Sequence, residues 1–259
     1  MGSVLVTGAH GQSGNTLREL VQDYERFYFD FKGSEELDIT SAEKIEATFA
    51  AAPYDFCVNC AAYTNVEQAE KTPEEAYAIN ADAVKKLAKA CQKHKVTLVH
   101  ISTDYVFDGS KASPYTTEDS TNPINEYGKS KLLGEEYVRT ILPNNHYILR
   151  TSWLYSKKYG HNFYRTVLSK AKKGEELRIT DEQLGCPTNT ETLIKFILNQ
   201  VLSGNLAVGT YHVTDGMPMT WYDFAKSILE EESLLENVKL VLDRNYRTFA
   251  ARPKNSVLI

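Results

Sequence analysis

The chain of 259 residues has no apolar run near the ~20 residues that carry a helix across a bilayer. Its amino terminus also lacks the basic start and long apolar core of a secretory signal. The expected location is therefore the cytoplasm, with no membrane among the partners. Charge of either sign is not in large excess: a net charge of -5 and a pI near 5.8 argue against a nucleic-acid-binding surface. Cysteine is scarce, at four. Cys57 and Cys60 form a CxxC inside the apolar stretch Asp55 to Cys60, where residues three apart on a strand face opposite sides of a sheet. No second CxxC, paired histidines or HExxH completes a metal site, so reduced, mostly buried thiols and no metal are expected. Internal repeats and low-complexity segments are absent too. What is present is ordinary for a globular protein: 42% hydrophobic and 24% charged residues, enough for one large domain with an appended lobe.

The first strand reads as Ser3 to Thr7, followed by Gly8-Ala9-His10-Gly11-Gln12-Ser13-Gly14 and an amphipathic helix from about Asn15 to Tyr24. Strand, glycine loop and helix in that order are the setting of a dinucleotide-binding turn. Gly8 supplies the tight turn, Gly11 lets backbone approach a pyrophosphate, and Gly14 lets the helix pack closely. The helix amino terminus offers free N–H groups to the phosphates. Arg26 to Asp30 reads as a second strand ending in an acid nineteen residues after Gly11, the place of a carboxylate on the adenosine ribose. Asp30 would favour NADH by repelling a 2′-phosphate, a preference softened by Lys32.

Leu37 to Thr40 counts as a short third strand. Thr40 or Ser41 would cap a helix over Ala42 to Ala52, and Asp55 to Asn59 is a fourth strand leading to the loop Ala61 to Thr64. A long helix runs from Pro73 to His94 with Thr72 as cap. Val96 to Ile101 is a buried strand that delivers Ser102 and Thr103 to the carboxyl edge of the sheet, where open α/β sheets bind ligands. Gly128 to Tyr137 reads as helix, and its spacing puts Tyr127 and Lys131 on one face if the first turn includes Tyr127. A hydroxyl, a phenol and an ammonium then meet where a carbonyl could be reduced. A tyrosine titrates near ~10; a lysine ~4 Å away at an effective dielectric of ~20 is worth about 4 kcal/mol, about three pKa units. On that arithmetic Lys131 poises Tyr127 as a general acid, and Thr103 fixes the carbonyl oxygen.

His146 to Arg150 adds a sixth strand, and the alternation predicts an α/β fold with a Rossmann-type doubly wound parallel sheet. Beyond it come helices at Asn162 to Lys172, Thr190 to Leu202 and Trp221 to Glu231, with strands at Gly209 to Asp215 and Val238 to Leu242. These pieces suit a smaller carboxyl-terminal lobe over the sheet edge. The expected division is 1–150, rejoined by about 187–212, for the dinucleotide-binding domain, and 151–186 with 213–259 for the substrate lobe. Trp153 suits either a ring-stacking role or an anchor for that lobe.

The glycine loop, the run Ser102-Thr103-Asp104-Tyr105-Val106-Phe107-Asp108-Gly109, Tyr127-Gly128-Lys129-Ser130-Lys131 and Arg150-Thr151-Ser152-Trp153 resemble the extended short-chain dehydrogenase/reductase superfamily. With Asp181 to Thr188 and Ala251 to Ser256, the resemblance narrows to its dTDP-4-dehydrorhamnose reductase family and covers essentially the whole chain. It implies NADPH- or NADH-dependent reduction of the nucleotide sugar dTDP-4-dehydro-L-rhamnose. Gly11, Gln12 and Ser13 would hold the pyrophosphate, Asp30 the ribose, and Asp38 and Ile39 the adenine. Ala62, Tyr63, Thr64 and Ile101 would line the cofactor. Tyr127 would be the proton donor, Lys131 would also bind the nicotinamide ribose, and Thr103, Asp104, Tyr105 and Trp153 would face the substrate. A homodimer is the one protein partnership this leaves open. Two departures stand out: Ser13 replaces an apolar residue, and the chain stops at Ile259 where the family continues, so a lobe shortened at its end is expected. Two other readings keep the same fold: a regulatory protein like the β subunit of methionine adenosyltransferase, and a nucleotide-sugar epimerase or dehydratase.

Overall fold

Short runs of β-branched and aromatic residues build one parallel sheet in the computed structural model, which describes residues 2–22 and 24–259. Its strands are β1 (Gly2–Thr7), β2 (Phe27–Lys32), β3 (Phe56–Asn59), β4 (Thr97–Thr103), β5 (His146–Thr151) and β6 (Gly209–His212). They lie in the order β6-β5-β4-β3-β1-β2. From β1 the chain turns one way to β2 and then crosses to β3 on the other side. The switch point, where such sheets bind ligands, therefore lies between β1 and β3.

Both faces are covered, as a parallel sheet requires. Alternate residues of β1 go to opposite sides. Leu5 joins Cys57, Leu87, Leu98 and Ile148 in one cluster, while Val4 and Val6 join Leu17, Val58, Val99 and Leu193 in the other. Cys57 belongs to the first cluster and Cys60 packs on the second, the opposed facing that the strand spacing requires. The first cluster is closed by α2 (Ala42–Ala51), α5 (Ala83–His94) and α6 (Glu126–Ile141), the second by α1 (Gln12–Leu20) and α8 (Thr190–Phe196). A third cluster lies apart, where α7 (Phe163–Lys172) and α9 (Trp221–Glu231) pack Tyr164, Val167, Phe224 and Ile228 together with Leu177 and Val238.

Several local expectations change. Helix α1 starts at Gln12, directly after an extended Gly11, and stops at Leu20; Asp23, inside the expected helix, lies outside the described residues. Leu37 to Thr40 is no strand. Leu37 and Ile39 are buried plugs, and the Asp38 carboxylate folds back on the Thr40 N–H at 2.9 Å and hydroxyl at 2.7 Å, which makes a turn. Ser41 caps α2, its hydroxyl accepting from Lys44 N–H at 3.2 Å. Thr72 caps nothing, because its hydroxyl donates to the Gln68 carbonyl at the end of α3 (Val66–Lys71). The helix starting at Pro73 runs through α4 (Pro73–Tyr77) and α5, with a π turn over Ala78–Asp82 between them.

Candidate active site

The carboxyl ends of β1, β3, β4 and β5 converge on one edge. The Thr7 hydroxyl donates to Asn59 Oδ1 at 2.6 Å, and that oxygen also accepts the Ala61 N–H at 3.2 Å. The loop after β1 is thus tied to the loop after β3 at the switch point. Gly8 takes a left-handed φ of 63° against the Ala61 backbone. A Cβ on Gly14 would sit 2.6 Å from Ala9 Cα and the Gly8 carbonyl oxygen, so the loop is wound as tightly as glycine allows. No side chain caps α1. Its first N–H groups, from Gln12 and Ser13, and its positive dipole end therefore face the edge, a cradle that suits a pyrophosphate. Ser13 is buried, and the Gln12 amide reaches away to the Leu154 carbonyl and to Asn162.

On the far side of the edge, Asn80 organises the loop after β3. Presented by the π turn, Asn80 is 1% exposed; it accepts the Tyr63 N–H at 2.9 Å and donates to the Tyr63 carbonyl and to Ser130 Oγ on α6, each at 3.0 Å. Ala62 and Thr64, on either side of Tyr63, are exposed to the edge. π turns of this kind gather at functional sites. Asn80 gave no signal in the sequence, since a lone asparagine inside a helical pattern resembles any surface residue.

The Asn125 side chain caps α6 by accepting the Gly128 N–H at 2.7 Å, and the helix begins at Glu126, so its first turn includes Tyr127 as the spacing argument needs. Lys131 is 2% exposed, and its ammonium donates to the Ile101 carbonyl at 2.6 Å. Thr103 closes β4 with its hydroxyl 3.0 Å from Asp104 Oδ1 and accepting the Tyr105 N–H at 3.2 Å. The rings of Tyr105 and Tyr127 meet edge to face at 6.0 Å. Thr103, Asp104, Tyr105, Tyr127 and Lys131 are thereby brought together.

The electrostatics differ from the simple pair argument. Burial pushes the Tyr127 phenol above its ordinary range, with the neighbouring Thr103 hydroxyl opposing and Asp104 adding to the rise. Burial likewise pulls Lys131 down to about 8, and Glu135 opposes it. Desolvation dominates both groups, and the lysine binds a carbonyl. Tyr127 is accordingly held as an intact proton donor. Asp104 is pushed up to about 6 by burial, against hydrogen bonds from Ser256, Ser152 and Thr103.

Four expected site residues have partners of their own. Strand β2 continues to Lys32, which pairs with Thr7, whereas Asp30 pairs with Leu5 two residues short of the edge. The Asp30 carboxylate is already engaged by the Tyr54 hydroxyl at 2.6 Å and by Lys32 at 3.2 Å, so it does not stand free as the strand-end acid expected. Ile39 is packed in the core and the Asp38 carboxylate is committed to its own turn. Trp153 stacks face to face on Trp221 at 3.5 Å, and Trp221 is the indole on the wall of the neighbouring cleft.

That cleft, about 350 Å³, lies between Tyr105 and the lobe. Aromatic Phe163, Trp221 and Tyr246 share its lining with Lys170, Arg178 and Arg252. Arg252 donates to the Tyr105 hydroxyl at 3.3 Å and to Glu67 at 2.5 Å, which joins the cleft to the tyrosine pair. Aromatic faces and three cations suit a planar, anionic ligand such as a nucleotide. A larger hollow of about 480 Å³ opens beside Gly2, Arg26 and Asp55, at the amino ends of the strands and away from these groups.

The comparisons with known proteins agree with this geometry. The model of the RmlD substrate binding domain matches residues 2–259. A dTDP-4-dehydrorhamnose reductase of Aggregatibacter actinomycetemcomitans is 39% identical over 100% of this chain and 90% of its own. A dTDP-4-keto-6-deoxy-D-glucose reductase of Streptomyces niveus is 37% identical over 86% of this chain and 76% of its own. The crystal structure of the Bacillus anthracis dTDP-4-dehydrorhamnose reductase in complex with NADP superposes with a TM-score of 0.94 at 36% identity, covering 100% of this chain and 91% of that one. The chain belongs to the RmlD substrate binding domain family, that of the dTDP-4-dehydrorhamnose reductases.

Proposed function

We propose that the protein reduces the C4 carbonyl of dTDP-4-dehydro-L-rhamnose to give dTDP-L-rhamnose, a step of dTDP-rhamnose synthesis in the cytoplasm. The observation that carries this reading is the convergence of Thr103, Tyr127 and Lys131 between an uncapped glycine-loop helix and a basic, aromatic cleft. Reduced nicotinamide, when bound, supplies the hydride. Gly8, Gly11, Gln12 and Ser13 hold its pyrophosphate through backbone N–H groups, and the loop of Ala62, Tyr63 and Thr64 borders it. Lys131 binds its nicotinamide ribose. Thr103 orients the substrate carbonyl, and the Tyr127 hydroxyl gives its proton to the oxygen at C4. Residues 1–150 with 187–212 form the cofactor unit, and 151–186 with 213–259 the substrate lobe. The engagement of Asp30 by Lys32 and Tyr54 supports use of NADPH, with NADH as the weaker donor.

The experiment mixes the protein with NADPH or NADH and dTDP-4-dehydro-L-rhamnose, follows nicotinamide absorbance and identifies the sugar. Stoichiometric oxidation with dTDP-L-rhamnose is expected. Isomerised sugar without net oxidation would support an epimerase, and cofactor binding without turnover a regulatory protein. Faster turnover of dTDP-4-keto-6-deoxy-D-glucose would move the substrate to that of the Streptomyces relative. Tyr127→Phe should lower turnover ~10²- to 10⁴-fold while cofactor affinity stays within a few-fold, the range for one positioned general acid.

A further inference from the structure

Helix α6 carries Tyr127, Lys131 and Glu135 at successive four-residue steps, hence along one face. Glu135 is fully buried, and its carboxylate is bonded from two neighbouring strands and from its own helix. Ser102 Oγ donates to it at 2.5 Å, Arg150 Nε and Nη2 at 3.0 and 2.8 Å, and Arg139 Nη1 at 2.9 Å. Ser102 and Arg150 are register partners on β4 and β5, one step below Thr103 and Thr151. One carboxylate thus clamps the helix that bears the phenol and the lysine to the strand that bears Thr103.

We propose that Glu135 is a positioning residue for the reaction, holding Lys131 charged and in place beneath the reacting groups. The inference rests on the assignment of Lys131 to the nicotinamide ribose. An ammonium 2% exposed with a single carbonyl partner needs a counter-charge to keep its proton. Most of the other ionisable groups near the site are neutral or cationic. His100 on β4 is buried and held neutral, Tyr105 and Tyr127 are uncharged phenols, and Arg150 and Arg139 are cations. Asp104 is a second acid, raised by burial to about 6 and engaged by the Thr103 and Ser152 hydroxyls, whereas Glu135 is the carboxylate whose charge acts on Lys131. Glu135 stays ionised because Arg150 and Ser102 hold its oxygens, and it is the group that resists the fall of Lys131.

The test follows NADPH affinity against pH by nicotinamide fluorescence, beside the pH profile of kcat/KM. Wild-type affinity should fall with a midpoint near 8 as Lys131 loses its proton, and Lys131→Met should erase that limb. Glu135→Gln, which keeps size and removes charge, should move the midpoint about one to two pH units to the acid side, with affinity at pH 6 within a few-fold of wild type. A folded Glu135→Gln protein with an unmoved midpoint overturns the proposal, because a purely structural role would lower stability without displacing a titration. A limb that persists in Lys131→Met overturns it too. If Glu135→Gln does not fold, Arg139→Gln decides. It removes a half-exposed cation from the same carboxylate and should move the midpoint a few tenths of a pH unit to the alkaline side, and no movement overturns the proposal. Failure to reduce the sugar while NADPH still binds would count against the reductase reading alone, since the binding limb is read without turnover.

Discussion

At the scale of single residues, Asp104 shows what burial costs a working site. It is 2% exposed, receives hydroxyls from Thr103 and Ser152, and is raised to about 6 from an ordinary 3.8. The folded protein thus holds this proton more tightly than the unfolded chain does. The stabilisation is complete below about pH 4 and is lost as pH rises through about 6, a change of about 3 kcal/mol at 1.36 kcal/mol per pKa unit. Asp104→Asn carries no such proton. Its unfolding free energy should therefore gain on wild type by about that amount between pH 4 and pH 7, while its turnover falls. Urea titrations of both proteins across this window check it, and a gap independent of pH would show that Asp104 titrates normally. The same scale shows how Asp30 sits relative to the edge. Its distance from Gly11 was right for a ribose carboxylate, but strand β2 runs two residues further and puts Lys32 at the edge.

At the scale of elements, the π turn over Ala78–Asp82 does what neither flanking helix could. The extra residue per turn aims Asn80 at Tyr63 and Ser130 together, and so locks the loop after β3 to α6. Asn80→Ala would leave the Tyr63 N–H and carbonyl without their partner. Buried groups left unsatisfied cost about 1–3 kcal/mol each, with water recovering part of that at this edge. We expect a loss of about 2 kcal/mol in stability and a several-fold rise in KM for the cofactor, with a smaller change in kcat. Denaturant unfolding and steady-state kinetics would measure both, and an unchanged KM would show that the loop is ordered without Asn80. Two sequence runs that looked separate also meet at this scale. Ser102 and Arg150 share Glu135, and Asp104 accepts from Ser152, so each run holds the other's site residue in place.

Across the whole molecule, the cofactor cradle belongs to the sheet edge, and the cleft is closed by a lobe with its own apolar cluster. The two should therefore respond separately to ligands. A ligand at ~100 times its Kd adds about 2.7 kcal/mol of stability, which for a chain of this size raises Tm by roughly 5–10 °C. NADPH and dTDP should each produce such a shift in wild type. Trp221→Ala, which removes the indole stacked on Trp153 and bonded through its N–H to Gln183 at 3.0 Å, should abolish the dTDP shift and leave that of NADPH. Differential scanning fluorimetry reads both, and loss of the NADPH shift would mean that the lobe also supports the cradle.

Local spacing by itself determined the alternation of strands and helices, the glycine turn before α1, and the placing of Tyr127 and Lys131 one helical turn apart on α6. Each depends on neighbours within a few residues, and helical and strand periods carry that information directly. The tertiary structure alone decided that Lys32 rather than Asp30 ends β2, that Trp221 rather than Trp153 lines the cleft, and that Asn80, Glu135 and Arg252 join Tyr63, Ser102 and Tyr105. These residues meet from distant parts of the chain, and a single chain read in order carries no mark of which distant side chains will touch. Desolvation is decided the same way. The charge of Lys131 and the proton of Tyr127 depend on how much water the completed fold removes, which spacing cannot state.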